Sequence, residues 1–350
     1  MTAISVGVAP ASADPASEFS VLCTPTDPAL AELSGLVATT DQLYAIGDSG
    51  SDEFVAVLDS DCAVQRWIPV PVDPYDIEDM AYVDGELWLA DIGDNRRQRS
   101  TVALIRVNLD DTSSGDDPGS LHRLTYPDGA HDAESILIGP DNVPIIVTKE
   151  FGGVSGVYRP KGGLTVHELA EPGPTALEKV GEVDVTAAGG SGPQSGGGLD
   201  SGHIADSLTR VIFTGGAVSH DGTIAAVRSY THLHLYDLRG TTVSQALTAP
   251  PFEALLLPQQ PQGEAVAFTA DGHLVIASEA RDGPLPPLLI LDNAVSRLPT
   301  EPGTGAGVDA ADPAAGRDSG PSVGLIAVAL AGSFALLGGG MLLTRALRRQ

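Results

Sequence analysis

Short apolar segments that alternate with tight polar turns follow one another along most of the chain. The clearest example is residues 76–95, DIEDMAYVDGELWLADIGDN, in which an acidic pair precedes the apolar run Met80 to Val83. Asp84-Gly85 then provides a turn, and a second apolar run, Leu87 to Ala90, leads to further acidic residues. Short apolar runs joined by Asp-Gly predict a β-hairpin.

Looser copies of this hairpin recur along the sequence. Their first strands align at Ser34-Gly35-Leu36-Val37, Glu78-Asp79-Met80-Ala81, Ala133-Glu134-Ser135-Ile136, Gly215-Gly216-Ala217-Val218 and Gly263-Glu264-Ala265-Val266. Each copy continues into a turn and a second apolar strand, and several show third and fourth strands, such as HLHLYDL with VSQAL. Four antiparallel strands in a repeat of this length predict an all-β fold, a β-propeller with four-stranded blades.

The number of blades is predicted to be five or six. The interval between Glu134 and Gly216 is the longest, and it contains the strand candidate LEKVGEVDV and a glycine-rich run from Ala187 to Gly202. This interval holds either a degenerate sixth blade or an insertion loop. The last copy has three strands, and we expect Phe19 to Leu22 to supply the fourth, because closing the ring removes an open sheet edge.

Composition and charge restrict the class of ligand. The 350 residues include 46 acids and 19 bases, for a formal net charge of −27, together with 41 glycines and 26 prolines. This glycine and proline content favours short strands and tight turns over long helices. An acidic surface repels nucleic acid phosphates and attracts divalent cations and basic partners. Nucleic acid binding is therefore excluded as a function.

The two cysteines, Cys23 and Cys62, are expected to form a disulfide. Such a bridge would join the closing N-terminal strand to the first blade, and it would contribute about 4 kcal/mol in the chain-entropy model. A disulfide also fits a protein that works outside the cytoplasm. The alternative is a pair of unbonded, buried thiols.

The two ends of the chain predict secretion and membrane anchoring. The first residues end in the small residues Ala11-Ser12-Ala13, as in the tail of a signal peptide, although a flexible terminus is the alternative. Val323 to Leu343 is an uncharged apolar run long enough to cross a bilayer as a helix, or else a buried helix of a soluble domain. Arg345, Arg348 and Arg349 follow it and should lie on the cytoplasmic side.

These segments define the expected domain organisation. Residues 1–13 are the remnant of a signal peptide, 14–298 a β-propeller ectodomain, 299–321 a stalk rich in Pro, Gly and Ala, 322–344 a transmembrane helix and 345–350 a basic cytoplasmic tail. A stalk of this composition is flexible. The expected location is the cell membrane, with a single span, an extracellular propeller and a cytoplasmic C-terminus.

Several motifs resemble those of a known group of propellers. The motifs are ELSGL, DIEDMA, LWLADIGDN, DAESIL, VSHDG and QGEAVAFTADG, and the group comprises the bacterial secreted and membrane-anchored propellers described as phytase-like or esterase-like. The resemblance covers residues 30–295 and implies the propeller fold. Phytase-type propellers hydrolyse phosphate esters with calcium ions at an acidic channel mouth, so the resemblance also implies that chemistry here.

Carboxylates at equivalent first-strand positions are candidate metal ligands. Asp79, Glu134 and Glu264 align with one another, and the first strands of a propeller line its central channel. Facing carboxylates repel one another unless a cation neutralises them, and Ca²⁺ prefers oxygen ligands. We predict a Ca²⁺ site at the channel mouth, or otherwise a hydrated mouth without an ion. The predicted site comprises Asp79, Glu134 and Glu264, supported by Glu78, Asp91, Asp94 and Asp132.

Three further residues near the predicted mouth are candidates for catalysis. Lys149 and Arg228 end second strands and would neutralise the carboxylates or hold a substrate phosphate. His131, next to Asp132, would act as a general base or ligand. The preferred function is a binding or scaffold module for an extracellular protein or a small-molecule ligand. The alternative is a metal-dependent phosphoester or ester hydrolase that uses the same mouth.

Overall fold

The structure, a computed structural model, describes residues 18–48, 50–109, 117–151, 154–184 and 212–300. The chain divides into a unit from Met1 to Pro302 and a unit from Gly303 to Gln350, and the second unit lies outside the described residues. The predicted signal remnant, the glycine-rich run, most of the stalk, the membrane span and the basic tail also lie outside them. None of the helices in the described ranges has the length and apolar character needed to cross a bilayer.

Twenty β-strands in the described residues form five antiparallel, four-stranded blades. Blade 1 contains β2 (Leu33–Ala38), β3 (Leu43–Gly47), β4 (Phe54–Leu58) and β5 (Val64–Pro69). Blade 2 contains β6 (Ile77–Val83), β7 (Glu86–Asp91), β8 (Val102–Asn108) and β9 (Gly119–Thr125). Blade 3 contains β10 (Ala133–Ile138), β11 (Pro144–Thr148), β12 (Val154–Pro160) and β13 (Thr175–Asp184).

The remaining strands complete two further blades. Blade 4 contains β14 (Phe213–Val218), β15 (Ile224–Ser229), β16 (His232–Asp237) and β17 (Glu253–Leu256). Blade 5 contains β18 (Gln262–Phe268), β19 (Leu274–Glu279), β20 (Leu288–Leu291) and the N-terminal strand β1 (Phe19–Cys23). A short parallel pairing between β13 and β9 also joins the outer edges of blades 2 and 3.

The five blades close a ring in a propeller-like arrangement. The first strand of each blade packs against the first strands of its two neighbours, and β18 packs against β2. The predicted all-β fold is thus confirmed, with five blades in the described part of the chain. The candidate strand LEKVGEVDV belongs largely to β13, the outer strand of blade 3, so it does not start a sixth blade.

The predicted closure by the N-terminal segment is confirmed. β1 pairs antiparallel with β20, with Phe19 opposite Leu291 and Ser20 opposite Ile290. Cys23, at the end of β1, forms the predicted disulfide with Cys62, and their Cα atoms lie 5.7 Å apart. Since Cys62 lies in the turn between β4 and β5, the bridge links the closing strand of blade 5 to blade 1.

The hydrophobic core consists of five clusters, one at each contact between neighbouring blades. Each sheet is therefore covered on both faces. Strands that are buried on both faces read as continuous apolar runs. This explains why the second strands, such as β11 with its fully buried sequence PIIVT, are the most apolar segments of each repeat.

One strand prediction is wrong. The segment VSQAL forms a short helix, α1 (Val243–Leu247), and the fourth strand of blade 4 is instead β17, which pairs with β16. The reason is a capping box: Thr242 and Gln245 each accept a hydrogen bond from the other's backbone amide. The described residues also contain three short 3₁₀-helices, Pro28–Leu30, Val166–Glu168 and Ala294–Arg297.

Candidate functional site at the channel mouth

Every first strand carries a local irregularity at the same point of its pairing with the second strand. Such a β-bulge places an extra residue in one strand and redirects its side chain. The residues at this position are polar and buried in all five blades: Ser34, Glu78, Glu134, Thr214 and Glu264. Two hydroxyls bridge neighbouring blades, because Ser34 Oγ donates to Glu264 Oε2 at 2.9 Å and Thr214 Oγ1 donates to the Gly263 carbonyl at 2.9 Å.

This register corrects the predicted ligand set by one residue. The sequence alignment placed Asp79 in one ring with Glu134 and Glu264, whereas the structure places Glu78 at that position. A bulge adds one residue to the strand, and neighbouring side chains in a strand point to opposite sides. The order of two adjacent acids therefore could not be assigned from the apolar pattern.

Asp79 has a different environment from the bulge residues. Its Oδ1 accepts the Met80 amide at 2.8 Å, and its Oδ2 accepts the amides of Ile136 at 2.9 Å and Gly216 at 3.0 Å. The side chain is fully buried. Burial raises the pKa of Asp79, while the three amide donors act to lower it. Asp79 therefore joins blades 2, 3 and 4 through backbone groups.

The second strands contribute another layer of polar groups beside the bulge ring. Counted from the bulge, the equivalent second-strand positions hold Asp48, Lys149, Tyr230 and Glu279 in blades 1, 3, 4 and 5. We call the carboxyl groups at this end of the channel the acidic mouth, which comprises Asp48, Asp76, Glu78, Glu134, Glu264 and Glu279. Asp76 and Tyr230 were not among the predicted site residues. An alignment of the second strands that starts from the bulge position would have identified Tyr230.

The carboxyls of the acidic mouth interact strongly with one another. Burial, and then the charges of Glu264 and other nearby acids, raise the pKa of Asp48 to about 9. Burial and then the neighbouring Asp76 raise the pKa of Glu78, whereas Lys149 acts to lower it. Burial, followed by a hydrogen bond with Glu264, raises the pKa of Glu279. The mouth therefore carries more acidic groups than its own cation can neutralise.

Lys149 is the cation that the mouth itself provides. Its Nζ donates to Glu134 Oε1 and lies 6.0 Å from the centre of the Tyr230 ring. The Glu134 residue is 3% exposed, and its second carboxylate oxygen, Oε2, is buried without a hydrogen-bond partner among the described residues. Lys149 therefore neutralises the Glu134 carboxylate but leaves one of the two carboxylate oxygens without a hydrogen bond.

Arg228 does not line the mouth as predicted. Its guanidinium is fully buried and donates to the carbonyls of Ala265 at 2.8 Å and Ala277 at 2.9 Å, and to Gln260 Oε1 at 3.0 Å. Burial lowers the pKa of Arg228 to about 10. The side chain links blade 4 to blade 5, and the equivalent position at the mouth belongs to Tyr230, two residues later.

Three predicted supporting ligands instead hold the loop that follows β7. Asp91 pairs with Arg99 at 2.9 Å and accepts the Asp76 amide at 3.0 Å. Asp94 accepts the Arg99 amide at 2.8 Å, and its own amide donates to Asp132 Oδ1 at 2.8 Å. These carboxylates therefore bind backbone and Arg99, which accounts for their burial.

His131 belongs to a separate cluster. Its Nε2 donates to Asp128 Oδ1 at 3.0 Å and lies 3.1 Å from the Tyr158 hydroxyl, and its Nδ1 lies 3.5 Å from Glu150 Oε1. The rings of Tyr126 and Tyr158 pack against the imidazole. These contacts place His131 between two acids and two tyrosines, and none of its contacts involves the bulge ring.

The predicted calcium site remains a prediction. In the ranges that the structure describes, no three His, Cys, Asp or Glu side chains are grouped so as to hold a metal ion. The oxygen-rich bulge ring has the donor type that Ca²⁺ prefers.

No protein-family profile matches the chain, and neither does any curated protein sequence. Similar solved structures include the PQQ-bound aldose sugar dehydrogenase of Streptomyces coelicolor, at 11% identity and a TM-score of 0.40 over 78% of this chain and 97% of that one. A luciferin-regenerating enzyme has 10% identity and a TM-score of 0.39 over 78% and 94% of the two chains. Kluyveromyces lactis Hsv2 has 13% identity and a TM-score of 0.32 over 72% of this chain and 66% of that one. Values this low carry no argument about a ligand or reaction.

Proposed function

We propose that this protein is a propeller binding module whose acidic mouth binds a cation. The observation that carries the proposal is the convergence of buried carboxyls on one end of the channel with Lys149 as the cation among them. Like charges at close range raise one another's pKa, so an entering cation is stabilised by all of them together. Ca²⁺ is the inorganic candidate, because every bulge residue offers an oxygen.

We further propose an extracellular, membrane-tethered location. The support is the Cys23–Cys62 disulfide, which persists in oxidising compartments, together with the uncharged run Val323 to Leu343 and the arginines that follow it. Within this proposal the protein belongs to the phytase-like and esterase-like propellers that its motifs resemble. Extracellular Ca²⁺ would then be available to the mouth.

The hydrolase alternative has weaker support. A phosphate substrate needs basic groups beside the metal, but Lys149 is engaged by Glu134 and Arg228 by backbone carbonyls. The alternative would gain support from turnover of phosphate esters that is lost in Glu134→Gln.

The test uses the full-length protein in mild detergent at constant ionic strength. We expect the melting temperature to rise with millimolar Ca²⁺, because a ligand that binds the native state stabilises it. The double variant Glu78→Gln/Glu264→Gln should lose this rise. Asp41→Asn, which removes one exposed charge from the turn after β2 at the other end of the channel, should retain it. A melt that no cation shifts, or a shift that the double variant retains, would contradict the proposal.

A further inference from the structure

Lys149 shows how the acidic mouth holds an ammonium group. Its Nζ lies between a carboxylate, Glu134, and an aromatic ring, that of Tyr230. Carboxylates together with the face of an aromatic ring form the usual environment of bound organic cations. From this arrangement we infer that the external ligand of the acidic mouth is an alkylammonium group, which enters beside Lys149. The inference rests on the proposed function and specifies its ligand.

Other carboxyls of the mouth form no ion pair in the described residues, although the charge of Lys149 acts on Glu78 and that of Arg228 acts on Glu264. Within the described residues, Asp48, Glu78 and Glu279 form no ion pair with a lysine or arginine, and Glu264 is held by the neutral donors Ser34 and Gln262. A cation that enters the mouth can therefore pair with these carboxyls without displacing a basic side chain.

Glu134 provides a second, independent observation. Its side chain is almost completely buried, it occupies the same bulge position as Glu78 and Glu264, and its Oε2 has no partner in the part of the chain that the structure describes. A buried carboxylate oxygen without a donor is costly, so such an oxygen marks a place where a donor binds. An alkylammonium carries three N–H donors, so it can donate to this oxygen and to other carboxyls of the mouth at the same time.

An ammonium demands less of the spacing of the mouth than a Ca²⁺ ion does. A Ca²⁺ ion needs several oxygen ligands at about 2.4 Å. No three acidic side chains of the described residues are grouped so as to hold a metal ion. An ammonium forms longer, separate hydrogen bonds to fewer carboxylates and also gains from Tyr230. The ammonium would come from a lysine side chain of a partner protein or from a free polyamine, since both present the same chemistry.

The first experiment titrates the full-length protein with n-butylammonium at constant ionic strength by calorimetry, with n-butanol as the neutral analogue. We expect binding of the amine alone, and a Kd that rises about tenfold or more in Glu78→Gln/Glu264→Gln, because two charge-assisted hydrogen bonds are weakened. Tyr230→Leu should raise the Kd several-fold, while Asp41→Asn leaves it unchanged. Tyr230→Leu changes no charge, so it tests the site even where the double variant fails to fold.

Two further titrations distinguish the sources of the ammonium. One uses spermidine, and the other uses a capped lysine tripeptide beside its Nε-acetylated form. Tighter binding of the lysine peptide than of its acetylated form or of spermidine indicates a protein partner, whereas tighter binding of spermidine indicates a polyamine.

The outcomes separate this inference from the proposed function. Binding of Ca²⁺ without binding of n-butylammonium overturns the inference and leaves the proposed function standing. Absence of both kinds of binding overturns both. Amine binding that is equal in the wild type and in the mouth variants overturns the inference, because the amine then binds elsewhere.

Discussion

At the scale of single residues, Asp79 shows how one carboxylate can join three blades at the channel axis. The three amides that it accepts, from Met80, Ile136 and Gly216, occupy equivalent positions on the free edges of three first strands. Buried amides need acceptors, and a first strand has no neighbouring strand on its axial side. Gly216 has no room for a side chain at this position, because a Cβ there would lie 2.8 Å from Leu137 Cδ1.

We expect Asp79→Ala to lower the free energy of unfolding by about 3 kcal/mol or more, since each of three buried amides loses its acceptor. Asp79→Asn keeps one carbonyl oxygen and should lower it by less. Urea denaturation of both variants beside Asp41→Ala measures the difference. If Asp79→Ala lowers the free energy of unfolding no more than Asp41→Ala does, other groups accept hydrogen bonds from the three amides.

The buried pair Lys149 and Glu134 gives a second prediction at this scale. The side chains are 12% and 4% exposed. Lys149→Met leaves the Glu134 carboxylate buried without its partner, and we expect a loss of about 3–5 kcal/mol. Adding Glu134→Gln should restore most of this loss, because the uncompensated charge is then gone. Urea denaturation of the single and double variants tests the coupling, and additive losses would contradict it.

At the scale of elements, the second strands and their turns could be predicted because their burial on both faces produces long apolar runs. Asp84 and Gly85 take positive φ, 51° and 95°, as the predicted turn requires. The short segment VSQAL could not be assigned, since five apolar and polar residues suit a strand or a helix. The local capping box of Thr242 and Gln245 determines the helix.

The candidate site was predicted less well than the strands. Glu134 and Glu264 share the bulge position with Glu78, whereas Asp79 lies one residue later, and Tyr230 rather than Arg228 holds the second-strand position at the mouth. Glu78 and Asp79 are adjacent acids, so an alignment of apolar positions could not assign which of them takes the bulge position, and Arg228 lies two residues before Tyr230 along the chain. Long-range hydrogen bonds, such as those of Asp79, leave no local pattern.

The disulfide gives a prediction at the level of the closing strand. Cys23 and Cys62 are 39 residues apart in sequence. Cys23→Ala/Cys62→Ala should therefore lose about 4 kcal/mol of stability in the chain-entropy model. Thermal unfolding of the variant beside the wild type, with and without reductant, measures the loss. A wild-type melting temperature that reductant does not change would contradict this role.

At the scale of the whole molecule, acidic groups determine how stability varies with pH. The folded pKa of Asp48 lies above its unfolded value, so its contribution is complete at low pH and is lost as the pH rises towards about 9. His234 acts in the opposite direction. Burial lowers the pKa of His234 to about 3, so stability is lost as the pH falls below its unfolded value of 6.5.

We therefore expect the free energy of unfolding to increase when the pH is lowered from 9 to 6.5, by up to about 1.4 kcal/mol per pH unit for each such carboxyl. Asp48→Asn should reduce this dependence, and His234→Leu should raise the free energy of unfolding at pH 4.5 relative to that at pH 6.5. Urea denaturation at pH 8.5, 6.5 and 4.5 distinguishes the two effects. Equal slopes in wild type and Asp48→Asn above pH 6.5 would show that the mouth is not responsible.

The pairing of β1 with β20 has a consequence for the order of folding. The strand at residues 19–23 is synthesised first, and its partner at residues 288–291 follows after all four other blades. Until then, the nascent chain exposes an unpaired strand edge at both ends of an open ring, which is the condition that promotes aggregation. Contacts so distant in sequence also form slowly. Completion of the ring is thus a late step, and the open ring that precedes it is the form of the chain most exposed to aggregation.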